Sequence, residues 1–239
     1  MDTCLAEDHL AEIADLGQPC VLLNREHPHL PWVAADRRQG TGLAAAHLLA
    51  QGRSRLGLLT AAYPGGVPAD ERPELAGFRD ALRAAGRRPE SGLVRFASVS
   101  GDPELATADL LRTLLSAPRQ EGSGGSDAGL VVFSYTLGPA AARAIARCGV
   151  RVPDDLALVV GDEDPEAREA QGVPGMPATA VTAPKFEMAQ AAARLLLKLV
   201  RAETVTGDER SQRFPMELNV RWTCGARSRT AAASVEAYS

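Results

Sequence analysis

Short apolar runs alternate along this chain with longer stretches whose apolar residues recur about every 3.6 positions. No other feature of the sequence constrains the fold as much. The runs are Val21-Leu22-Leu23, Leu56-Gly57-Leu58-Leu59, Leu93-Val94-Arg95-Phe96, Leu130-Val131-Val132-Phe133, Leu156-Ala157-Leu158-Val159-Val160 and Ala180-Val181. Unbroken apolar runs of this length suit parallel strands covered on both faces. Between them the periodicity predicts helices over roughly 5–16, 40–51, 72–86, 103–116, 138–149 and 185–202. Within 75–85, Leu75, Phe78, Leu82 and Ala85 fall on one helical face. Gly52, Gly86 and Gly149 stand where a left-handed residue closes a helix. Strand and helix in alternation imply βαβ units and a doubly wound α/β sheet. Residues 117–128 read as a flexible surface loop, and 225–239 as a disordered tail.

Composition narrows the function classes. At 239 residues the chain has room for two lobes. Only 4% is aromatic, so the core must be built from Ala, Leu and Val. The net charge is −4 and no Lys/Arg stripe interrupts it, although Arg37-Arg38 and Arg87-Arg88 are local basic spots. Nucleic-acid affinity comes largely from phosphate neutralisation, so the chain alone is a poor DNA binder. Cys4, Cys20, Cys148 and Cys224 are scattered without metal-ligand spacing and read as buried free thiols in a reducing compartment. The acidic start Met1-Asp2-Thr3-Cys4-Leu5-Ala6-Glu7-Asp8, with no long apolar run after it, leads us to expect a cytoplasmic protein without membrane contact.

In an open parallel sheet, ligands bind outside the carboxyl ends of the strands. The residues to inspect are therefore Ala61-Ala62-Tyr63, Ala97-Ser98-Val99, Ser134-Tyr135 and Asp162-Glu163-Asp164. The last is the sharpest polar cluster. Its carboxylates suit ligand hydroxyls, a magnesium ion, or simply a solvated acidic loop before Pro165, and the residues alone leave these open. Gly40-Thr41-Gly42-Leu43-Ala44-Ala45 fits a loosened dinucleotide fingerprint after a strand over Trp32–Ala35. Arg37-Arg38-Gln39 intervenes, however, and no acidic residue ends the next strand, so a helix entry with small packing residues is the better reading. His27-Pro28-His29 reads as a solvated loop and His47 as a packing or capping residue inside a helix. No histidine accompanies a nucleophile motif, and we expect no catalysis, no metal and no cofactor. Arg72 opens a helix, where a guanidinium facing a cleft can grip hydroxyls or a carboxylate.

From about residue 19 to 223 an ordered set of pieces carries a family resemblance. They are Pro19-Cys20-Val21-Leu22-Leu23-Asn24-Arg25, Asp36 with Gly40, Ala46-His47-Leu48, Gly52, and Arg72 with Leu75-Ala76-Gly77-Phe78-Arg79-Asp80-Ala81-Leu82. Arg151-Val152-Pro153-Asp154-Asp155-Leu156 leading into Val159-Val160-Gly161 follows, then Thr179-Ala180-Val181-Thr182 with Pro184 and Glu187-Met188, then Ala191–Leu197 and the closing strand Glu217–Arg221. The set resembles the effector-binding core of the LacI/GalR (lactose-repressor/galactose-repressor) family of transcription regulators.

The resemblance implies two Rossmann-like, periplasmic-binding-protein-like lobes joined by three crossings. The expected division is 1–52 plus 182–210 for an incomplete first lobe, 53–181 plus 211–223 for the second, and 224–239 for a tail. It implies a small-molecule effector of the sugar, polyol or nucleoside class in the cleft, and a homodimer. Operator DNA would be met only through a helix-turn-helix that these residues lack. Arg72 matches the family's ligand-gripping arginine, Glu163 its hydroxyl-binding acid, and Asp36 faces the cleft; Asp162, Ser134, Tyr135 and Tyr63 complete the expected site. The sequence departs from the family at Ser134-Tyr135, where an Asn-Asp pair is usual, and at Asp162, where an aromatic is usual. It departs again at Ser98 or Val99, where an aromatic would stack on a sugar ring. Two rival readings are a periplasmic-type solute receptor and a magnesium-dependent phosphohydrolase using Asp162 and Asp164 with Lys185 as phosphate grip.

Overall fold

The computed structural model describes residues 7–62, 68–98, 101–116, 126–134, 136–161 and 178–226. In chain order the strands are β1 (Leu22–Leu23), β2 (Trp32–Ala35), β3 (Arg55–Ala62), β4 (Val94–Ser98), β5 (Ala128–Phe133), β6 (Ala157–Gly161), β7 (Thr179–Thr182), β8 (Ser211–Phe214) and β9 (Glu217–Asn219). The helices are α1 (Glu7–Asp15), α2 (Arg37–Ala50), α3 (Pro73–Ala84), α4 (Pro103–Leu115), α5 (Gly138–Arg147), α6 (Lys185–Val200) and the single turn α7 (Gly207–Arg210). Each expected apolar run lies in or overlaps a strand. Gly52, Gly86 and Gly149 adopt φ of +82°, +70° and +66° just beyond α2, α3 and α5, the left-handed geometry that ends a helix without a Cβ penalty.

The large sheet has the order β4-β3-β5-β6-β7-β9, parallel throughout except for β9. Because strand side chains alternate sides, each apolar run feeds two cores. Leu59, Leu130, Val132, Leu158 and Val160 point to one face, where Leu110, Leu111 and Leu114 of α4 and Ala141 and Ile145 of α5 cover them. Leu58, Val131, Phe133 and Val159 point to the other, under Ala44, Ala45 and Leu48 of α2 and Leu75, Phe78 and Leu82 of α3. A run buried on both sides cannot alternate polar and apolar, which is why the sequence shows solid blocks.

A small parallel sheet, β1-β2-β8, stands beside it, with α6 packed on β1 and β2. Leu16 and Leu23 are more than half exposed at this end. The division differs from the one expected. Residues 37–50 lie on the large sheet, packed against α3, so the first crossing falls at Asp36 and not at residue 52. Residues 211–214 pair with β2 in the small sheet. The chain therefore crosses between sheets at 35–37, 182–185 and 214–217. These crossings are bonded together: Asp36 N–H donates to the Phe214 carbonyl at 2.7 Å, and the Gln39 amide exchanges two bonds with the Met216 backbone at 2.9 and 3.1 Å.

Two expectations at the chain's irregular segments change. The described end of the 117–128 loop is tied down, with Ser126 accepting from Arg53 and Ala128 already inside β5. Cys224, placed in the tail, is fully buried, and Thr223 beside it bonds both Leu158 and Thr179.

Helices α2 and α3 approach so closely that a Cβ on Gly77 would sit 1.9 Å from the Arg38 carbonyl oxygen. Gly77→Ala should therefore destabilise the protein by about 1–3 kcal/mol, the range of overpacking, despite the roughly 1 kcal/mol that alanine gains in an exposed helix. A backbone oxygen cannot rotate away as a side chain can. Urea unfolding midpoints measure this, and an unchanged midpoint would show that α2 and α3 separate freely.

Candidate ligand-binding site

Chain order in the large sheet reverses direction at β3. From β3 the chain moves outward through α3 to β4, then returns through α4 past β3 to β5, and onward through α5 to β6. Right-handed crossovers put α3 on one face and α4 and α5 on the other. The carboxyl ends of β3 and β5 consequently diverge into a crevice, the position at which open α/β sheets hold ligands.

Charged side chains gather at that crevice. Arg72, the residue before α3, donates to the carbonyl of Ala61 near the end of β3, and its guanidinium lies 5.4 Å from the Phe96 ring centroid near the end of β4. Arg37, the first residue of α2, lies 5.4 Å over the ring of Phe133, the last residue of β5. Between the two guanidiniums is Glu74, only 3% exposed, accepting Arg37 Nε on Oε1 at 2.6 Å, while Oε2, buried and without a hydrogen-bond partner among the described residues, lies at ion-pair distance, 3.6 Å, from Arg72 Nε. Burial alone would push the Glu74 carboxyl up. The charges of Arg37 and Arg72, a backbone N–H and the Arg37 hydrogen bond outweigh it and hold the group below the usual carboxylate range. The cluster thus sets two cations and two aromatic faces around one buried anion.

The expected site residues divide into placed and unplaced. Arg72 is at the crevice. Asp36 is at the first crossing, where one carboxylate oxygen caps α2 by accepting from Gln39 N–H at 2.9 Å. Ser134 directly follows β5 and is buried, its hydroxyl 2.8 Å from that of Thr136 and its carbonyl receiving the first amides of α5. Tyr63, Tyr135, Asp162 and Glu163 lie outside the described residues, as does Asp164. Arg37 and Glu74 were not anticipated. An arginine and a glutamate in first helical turns look like solvated surface residues, and only the approach of α2 to α3 makes them neighbours. Phe96 supplies an aromatic face two residues before the position where one was expected.

The other sequence signals take structural roles. Gly40 packs against Met216, with no room for a Cβ, so the glycine-rich stretch serves close helix packing. His27 Nδ1 accepts from the amides of His29 and Leu30 at 3.1 and 2.9 Å, organising the loop. Cys224 is a buried thiol, but Cys20 is half-buried and Cys148 exposed, contrary to the expectation of uniform burial. Lys185 opens α6 with its side chain exposed. Among the described residues no three His, Cys, Asp or Glu side chains gather as a metal site, and no helix is long and apolar enough to cross a membrane.

The fold and the crevice define the class: a two-lobed small-molecule-binding core of the periplasmic-binding-protein type. A family model described as a periplasmic binding protein-like domain matches residues 45–224. A regulator of the helix-turn-helix type encoded in the aml 5′ region of Streptomyces limosus is 32% identical over 218 residues, covering 87% of this chain and 56% of that protein. The transcriptional regulator CelR of Thermobifida fusca is 31% identical over 204 residues, 83% of this chain and 55% of CelR. A solved structure of a CelR–cellobiose complex superposes with a TM-score of 0.74 at 26% identity, covering 91% of this chain and 63% of that one. A LacI-family regulator from Mycobacterium smegmatis superposes equally well, at 25% identity over 91% and 74%. The chain belongs to the LacI/GalR family, as its effector-binding core, and spans a little over half the length of these curated relatives.

Glu74 links this site to pH. Its carboxyl titrates lower in the folded chain than the ordinary glutamate value of 4.5. The stabilisation is therefore complete above about 4.5 and is lost as pH falls through the lower, folded value, at about 1.4 kcal/mol for each unit of depression. Thermal melts of wild type and Glu74→Gln between pH 7 and pH 3 should converge as the pH drops. Parallel curves would show that Glu74 ionises alike in both states.

Proposed function

We propose that this chain is the sensing core of a transcription regulator, taking a small polar molecule of the sugar, polyol or nucleoside class between its two sheets. The observation that carries the reading is the position of Arg72. It is held by the Ala61 carbonyl and Glu74 at the point where strand order reverses, with an aromatic ring beneath it. Such a guanidinium offers paired donors to hydroxyls or a carboxylate, and the Phe96 face offers an apolar counterpart. The cellobiose seen with CelR supports a carbohydrate as the first class to try.

Ligand would draw the two sheets together about the three crossings. Closure would change the geometry of a homodimer, and with it the spacing of helix-turn-helix heads lying outside these 239 residues that would read operator DNA. This is a shift between two arrangements, driven by the ligand's preference for the closed one. Such a protein works in the cytoplasm and catalyses nothing.

A melt of the purified chain against cellobiose and a panel of sugars, polyols and nucleosides tests the reading. A ligand at about 100 times its Kd adds roughly 2.7 kcal/mol, several degrees for a chain of this size. We expect one selective upward shift that Arg72→Ala abolishes. A shift that survives Arg72→Ala would move the site elsewhere, and a cooperative melt that no member moves would count against the reading.

A further inference from the structure

The buried carboxylate of Glu74 joins two parts of the molecule that the more exposed Arg38–Asp80 ion pair also bridges. On one side is Arg72, at the crevice. On the other is Arg37, which follows Asp36 directly in the chain and so sits on the first crossing between the sheets. Asp36 caps α2, its N–H bonds the third crossing at Phe214, and three residues later Gln39 clamps Met216 of that same crossing. The carboxylate accepts a hydrogen bond from Arg37 on one oxygen at 2.6 Å and pairs by charge with Arg72, 3.6 Å from the other, and it is 3% exposed. Its neighbour Gly77 lets the Arg38 backbone approach α3 closely.

From this geometry we infer that Glu74 is a positioning residue, coupling the ligand-facing Arg72 to the crossing about which the sheets would close. An ion pair spanning two elements transmits displacement because moving one partner exposes the shared, desolvated charge. A ligand that draws Arg72 off Glu74 weakens the hold on Arg37 and frees the first crossing, while an empty crevice keeps the three crossings locked. The ligand role of Arg72 rests on the function proposed above; the coupling itself does not.

Amide hydrogen exchange reads the coupling without any ligand. In the ligand-free chain, Arg72→Gln should speed exchange at the amides of Asp36, Gln39 and Met216 by about tenfold, a size usual for residues sharing one ion-pair network, and leave Val131 and Val159 in the sheet unchanged. In a Glu74→Gln background the same substitution should add nothing further. If Glu74→Gln does not fold, Arg37→Gln replaces it, because Arg37 is more exposed and its loss also cuts the link. Exchange at Asp36, Gln39 and Met216 within twofold of wild type in Arg72→Gln would overturn the proposal, as would an undiminished effect in the second background. The two readings fail separately. Coupling seen in a chain whose melt no panel ligand shifts would leave Glu74 in its role and remove the proposed ligand class. A ligand shift lost in Arg72→Ala, without coupling, would do the reverse.

Discussion

Strands that run in one direction cannot be joined by hairpins, so every link between them must pass over a face of the sheet, and in the large sheet the links from β3 to β4, β4 to β5 and β5 to β6 contain helices. Both faces are then covered, and the sheet has no side left for water. The two cores follow from that constraint. Leu59, Val132 and Val160 sit under α4 and α5, while Leu58, Val131 and Val159 sit under α2 and α3. The handedness of the links makes chain order turn back at β3, and the turning point opens the crevice. The site is thus a consequence of topology before any particular side chain is considered.

The crevice is also where the large sheet meets the crossings to the small one, and the charges there serve both features. Burying a carboxylate is costly, and a pair of arginines offsets the cost only when geometry is close and the partners are held. Each arginine here is held by several groups at once. Arg72 has a carbonyl, a carboxylate and an aromatic face, and Arg37 has the carboxylate and the Phe133 ring. A cluster of this kind contributes little to net stability compared with an apolar plug. What it contributes is one fixed arrangement of donors at the end of the sheet. Gly77 makes it attainable, because it lets α2 and α3 come near enough for a single carboxylate to reach both sides.

Much of the fold was legible in the chain alone. A solid apolar block such as Leu130–Phe133 can only be a strand hidden on both faces or a piece of buried helix, and its shortness between two amphipathic helical stretches settles which. Ser134 was singled out by its place after a strand, and Arg72 by its place at a helix start and by the family resemblance. The division between sheets was not legible. Nothing in 37–50 distinguishes a helix that covers the first sheet from one that covers the second, and Ser211–Phe214 is short enough to pair with either. The exposure of Cys148 was likewise invisible, since a thiol carries no local pattern of its own.

The sequence by itself therefore determined the parallel α/β class and the helix ends, since periodicity and capping glycines are local properties. Tertiary structure alone decided which helix lies on which sheet, where the crossings are, and that Arg37 and Glu74 lie beside Arg72. Those are facts about residues 37 apart in the chain. Charge, size and apolarity are written at each position, but the distance between two positions is set only when α2 and α3 pack on a common face.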